Sequence, residues 1–185
     1  MNLDNLPLNL ILRHENIKEL QSYAEFFFAE KEERLEGLVD RISSDLKISK
    51  SVLDFSENSL AIIDTWLVKH IECVKLSEEE YEWKRKNIPD YIEIDDWKFS
   101  SKTFSDIINI GIYLGETIIH KYPYLKWEQD LKNRRYIDYG HMVIKLGKAD
   151  MNPIWLVKVL CKKIASQKEG SLHKLFRIWE RHINL

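Results

Sequence analysis

An α+β fold, mostly helical with five to seven helices and one small antiparallel sheet, is the class this chain predicts. Three observations point there. Apolar residues recur at steps of three and four along most of the chain, the mark of amphipathic helices. Only two stretches, near 124–130 and 135–146, read as paired strands. Caps and breakers such as Ser56, Ser77, Pro89, Asn152-Pro153 and Gly170 fall where the helical runs stop or start. At 185 residues the chain suits one domain with an appendage: 1–50 as an N-terminal helical arm packed on the main domain, and 51–185 as the α+β domain.

The elements follow in order. From Asn16 to about Ile48, Ile17, Leu20, Ala24, Phe27, Leu35, Leu38, Ile42 and Leu46 trace one seam, with Lys31 its one polar member. This is a long helix or two in series, and Gly37 is the place for a bend. Val52, Leu53 and Phe55 read as a short extended piece that could join the sheet. Ser56 caps a second helix carrying Leu60, Ile63, Leu67, Ile71 and Val74 on one face. Ser77 with Glu80 three residues on makes a capping box for a charged third helix that stops before Pro89. An acidic loop with a short strand, "PDYIEIDDWKFSS", leads to a cap at Thr103 or Ser105 and a central helix over about Phe104 to Tyr122. That helix is apolar on more than one side, so it is buried, and Gly111 and Gly115 leave a strip for close approach. "YLKWEQD" and "YIDYGHMVIKLG" are two strands with "LKNRR" as their turn. Asn152-Pro153 opens a helix with proline at its first position, and Leu172, Leu175, Phe176, Trp179 and Ile183 line the last one.

The totals narrow the function classes. The composition, 44% hydrophobic and 31% charged, is that of a globular protein able to bury its own core. The N-terminal segment reads as no secretory signal and nothing approaches a membrane span, so a cytoplasmic location without membrane partners is expected. Cys73 and Cys161 form no metal or redox motif. Net charge is −2 but divided: residues 1–100 hold 13 Lys/Arg against 22 Asp/Glu, and residues 101–185 hold 15 against 8. Such a split suits halves of complementary field, or an acidic face offered to a basic partner.

Within the central helix, Asp106, Asn109, Tyr113, Glu116 and His120 fall at steps of 3, 4, 3 and 4. They form one polar stripe on a greasy rod. It is either the wet face of the helix or the lining of a polar pocket. Glu116 and His120 could share a metal, but His14, His70, His141, His173 and His182 follow no ligand spacing, so no metal and no cofactor is expected. A small enzyme using Tyr113, Glu116 and His120 is one alternative. A structural bracket is the other, with Glu116 held by Arg134, Arg135 or a tryptophan N–H. No nucleophile motif or phosphate loop occurs, which leaves no catalytic residue to name.

The acids Glu78, Glu79, Glu80, Asp90, Glu93, Asp95 and Asp96 are interleaved with Tyr81, Trp83, Tyr91 and Trp97. Acids around aromatic anchors suit docking on a basic surface, such as the substrate cleft of a nuclease. The partner-binding set expected here is Glu79, Glu80, Tyr81, Trp83, Tyr91, Glu93, Asp95, Asp96 and Trp97. With a sequence pI of about 6.3, nucleic acid is not an expected partner.

Two segments, "LDFSENSLAIIDTWL" and "GIYLGETIIHKYPYLKW", carry a resemblance. The chain resembles, over roughly residues 50–185, uncharacterised bacterial proteins that pair an L-D-x-S-x-x-S-L-x-x-x-D segment with a G-x-Y-L-G-E helix and a following Trp. These are similar to immunity proteins of polymorphic or contact-dependent toxin systems. Asp54, Ser56, Ser59, Leu60 and Asp64 match the first motif; Gly111, Tyr113, Leu114, Gly115, Glu116 and Trp127 match the second. The resemblance implies a non-enzymatic protein that covers the active surface of a cognate toxin, and it supplies no catalytic residues. A homo-oligomeric scaffold assembled through the 16–48 helix is a third alternative.

Overall fold

The computed structural model describes Leu12 and residues 15–89, 91–146 and 149–183. Its helices are α1 (Ile17–Leu46), α2 (Glu57–His70), α3 (Glu78–Asn87), α4 (Ser101–Lys121), α5 (Pro153–Ala165) and α6 (Leu172–Ile183). The strands are β1 (Cys73–Lys75), β2 (Trp97–Phe99), β3 (Trp127–Gln129), β4 (Met142–Lys145) and β5 (Asp150–Met151). The class is α+β and mostly helical. The strands make two small antiparallel sheets, β1–β2 and β3–β4–β5. Among the described residues, no helix is long and apolar enough to cross a membrane.

Helix α1 runs unbroken through Gly37 for 30 residues. Asn16 and Glu19 open it with a reciprocal capping box, each side chain accepting the other's backbone N–H. Lys47 ends it in the left-handed region at φ 55°, its N–H returned to the last turn. Residues 50–52 form a 3-10 turn and no strand, so the expected extended piece at 52–55 is absent. Phe55 then takes a φ of 59°, uncommon for a bulky residue.

Helix α2 stops at His70 instead of continuing through Val74. Ile71 and Val74 keep the helical spacing, but the chain peels away to pair β1 with β2, Val74 opposite Lys98. Glu72 N–H donates to Thr103 Oγ1 at 2.8 Å, which fastens this exit to α4. Helix α4 begins at Ser101 because Ser100, rather than Thr103 or Ser105, supplies the cap. Thirteen of its 21 residues are buried, which makes it the axis of the fold.

The other elements arrange themselves on α4. Its longest contact is with α5, which crosses where Gly111 has no side chain; a Cβ there would lie 2.6 Å from Ile154 Cα. Gly115 leaves the place that the Trp127 indole of β3 occupies. The link between β3 and β4 is a string of turns over residues 130–141, longer than the expected turn at "LKNRR". Gln129 Nε2 donates to Leu20 O and Gly140 O, which ties this sheet to α1. Helix α6 receives its cap from α2: Asp64 accepts from Ser171 Oγ and from Leu172 N–H, each at 2.7 Å. Phe27 and Leu38 of α1 belong to the same buried cluster as Trp66, Tyr113, Val157 and Phe176.

Candidate functional site

The polar stripe of α4 has three sets of partners. Asp106, Asn109 and Glu116 face α1, which runs antiparallel to them with a basic residue opposite each. Lys31 Nζ donates to Glu116 Oε1 at 2.8 Å, Arg34 Nη1 donates to Asn109 Oδ1 at 3.1 Å, and Arg41 Nη2 ion-pairs with Asp106 Oδ1. The oxygen of Glu116 held by Lys31 also accepts from Trp127 Nε1 at 2.8 Å. Burial alone would lower the Lys31 pKa, but the Glu116 carboxylate raises it above its ordinary value. Glu116 therefore closes a three-way joint of α1, α4 and β3. Of the partners expected for it, the tryptophan N–H is present; Lys31 takes the place proposed for Arg134 or Arg135.

The Asp106 end is drier. Asp106 is 1% exposed, and its ordinary acidity is opposed by burial, which raises its pKa against the pull of Arg41 and Lys102. Arg41 also lies over the Trp66 ring, 5.4 Å from its centroid. Trp66 Nε1 in turn donates to Asp45 Oδ2 at 2.8 Å, and His70 stacks on the same indole.

Tyr113 turns toward α2. Its hydroxyl donates to Ser59 Oγ at 2.8 Å and accepts from Phe55 N–H at 3.0 Å. The Phe55 and Tyr113 rings sit 4.6 Å apart, so the tyrosine holds the left-handed residue by both backbone and ring. Burial raises the Tyr113 pKa, which keeps the hydroxyl neutral and able to donate. His120 is exposed and leans on Phe55 at a shallow cleft bordered by Glu57, Lys121 and Phe176. Tyr113, Glu116 and His120 thus do not converge on one hydrogen-bonded cluster. Among the described residues, no three His, Cys, Asp or Glu side chains group as metal ligands; His14 lies outside those residues.

Both sequence motifs are joints of this frame. Ser56 caps α2, Asp54 accepts the Ser56 N–H, Ser59 meets Tyr113, and Asp64 caps α6. Gly111 and Gly115 admit α5 and Trp127. Replacing Glu116 by glutamine should leave an acceptor for Trp127 but remove the buried-side counter-charge of Lys31, leaving it only the exposed Glu32 at 3.1 Å. A loss of about 2 kcal/mol in urea unfolding is expected, and a fold of unchanged stability would contradict the structural role.

The mid-chain residues form a different kind of surface. Helix α3 buries none of its residues. Trp83 is 65% exposed and Tyr91 87%, with Tyr81 and Ile92 also exposed. Not every expected acid is available: Glu80 closes the α3 capping box and pairs with Lys98, and Asp95 pairs with Lys162 at 2.6 Å. Glu79, Glu93 and Asp96 make no ion pair among the described residues, while Asp90 lies outside them. Trp97 is half-buried, packs edge-on to Phe99 and lines a groove against Trp155 of α5.

The basic residues of α1 escaped the sequence reading as partners, although Lys31, Arg34 and Arg41 repeat at steps of three and seven beside the apolar seam. No family model matches the chain, and no curated protein or solved structure does so.

Proposed function

We propose that the chain is a non-enzymatic binding protein that neutralises a cognate toxin by covering its active surface, using α3 and the segment up to Asp96. The observation that carries the reading is the exposure of Trp83 and Tyr91 beside Glu79, Glu93 and Asp96, acids with no ion-pair partner among the described residues. Large aromatic side chains left in water by the fold gain most when a partner covers them, and surrounding acids favour a basic partner. The resemblance of the two motifs to those of immunity proteins supports the same class, while the motif residues themselves keep the scaffold rigid.

The test begins with affinity capture from the native cell and identification of the bound protein by mass spectrometry. Trp83→Ala should then weaken that complex by about 2 kcal/mol, roughly 30-fold in Kd, with an unchanged melting temperature. Charge reversal at Glu79, Glu93 and Asp96 should slow association and flatten its salt dependence. A captured toxin bound equally well by both variants would place the interface elsewhere.

A further inference from the structure

A groove of about 520 Å³ lies between β2, α5 and α3, and its chemistry differs from that of the acidic face. Its walls are aromatic: Trp97 and Phe99 from β2, Phe104 from α4 and Trp155 from α5. Around these rings stand four amines, Lys84, Lys98, Lys158 and Lys162, with Asp95 as the one carboxylate among the described lining residues. Trp155, Lys158 and Lys162 share one side of α5 at helical spacing. Asp95 answers Lys162, and Glu80 outside the groove answers Lys98. Even so, the lining is net positive.

We infer that this groove binds a small ring-bearing phosphate of the nucleotide class, its ring against the tryptophan walls and its phosphate among the lysine amines. Flat rings stack on aromatic side chains without regard to identity. Lysine ammonium groups hold phosphate as point charges, with no need for a glycine-rich loop. A volume of this size suits a small molecule.

The electrostatics agree with the geometry. Lys158 Nζ lies 4.7 Å over the Trp155 ring. Burial, then the positive fields of Lys162 and Lys84, brings the Lys158 pKa down to about 8. Among the described residues, the charged groups that line the groove with it are Lys84 from α3, Lys98 and Asp95 at β2, and Lys162 on its own helix. A bound phosphate would relieve this crowding of like charges and favour the protonated amine. Affinity should therefore fall as pH rises through about 8.

This inference is independent of toxin binding and is tested without a toxin. The full chain is titrated with AMP, adenosine and inorganic phosphate by equilibrium dialysis, with tryptophan emission followed in parallel. AMP should bind saturably with a Kd below about 1 mM. Adenosine and phosphate alone should each bind at least roughly tenfold more weakly, as expected when stacking and charge both contribute. Trp155→Ala and Lys158→Met should each cost about tenfold in AMP affinity. Lys84→Glu, on the solvated helix α3, should do the same without touching the core. Absence of saturable AMP binding overturns the inference. So does phosphate binding as tight as AMP, an oligonucleotide bound where AMP is not, or AMP binding unchanged by Lys84→Glu.

Discussion

Replacing Arg41 by methionine should destabilise the protein by about 3 kcal/mol, the lower end of the cost of leaving a buried charge without its partner. The lower end applies because the Arg41 side chain is a third exposed while Asp106 is sealed. For a chain of this size the melting temperature should fall by about 6–12 °C. The effect has a pH signature. A carboxyl whose pKa is raised in the folded state takes up its proton more readily folded than unfolded. Its ionised form is therefore penalised by folding, and that penalty disappears as pH falls through the folded pKa. Burial already raises Asp106 against the pull of Arg41, and removing the arginine strengthens the rise. The deficit of Arg41→Met should accordingly shrink as the solution is made more acidic. The double variant Arg41→Met/Asp106→Leu should recover most of the stability, because it removes both charges. Urea unfolding at neutral and at acidic pH decides the matter; a deficit independent of pH would mean that the loss is one of packing.

Gly111→Val should cost about 3 kcal/mol or more, as inserted methyl groups do in a filled core. The obstacle is backbone: a Cβ at 111 meets Ile154 Cα and N, which cannot rotate away as a side-chain tip can. The two helices would have to separate at the longest contact in the fold. Valine at Gly37, where nothing lies within 4 Å of a Cβ, provides the control and should change stability little. Helix propensity favours valine over glycine at both positions, so comparable losses at both would mean that close approach to Ile154 does not set the cost at Gly111.

Local chemistry was legible in the sequence. The Ser77–Glu80 capping box, the Ser56 cap and the Pro153 start all stand where short-range rules put them. These depend on residues three or four apart, so one segment contains the whole interaction. The limits of α2 and α4 were less legible for the opposite reason. Ile71 and Val74 satisfy helical spacing and strand propensity alike, and only the distant β2 decides between them. The stripe on α4 was visible as a pattern, but Lys31 is 85 residues from Glu116 and nothing local selects it. The mid-chain acids were read as one set from their proximity in sequence. Folding divides them, spending Glu80 and Asp95 on neighbouring lysines and turning Trp97 toward α5.

The carboxylate of Asp64 has a consequence for synthesis. It waits for Ser171, 107 positions later, before its lone pairs find their donors. At ribosomal rates of about 5–20 residues per second, that wait lasts on the order of 5–20 s. Throughout it the flank of α2 that will carry α6 stays uncovered, and chaperones have their opening on the nascent polypeptide.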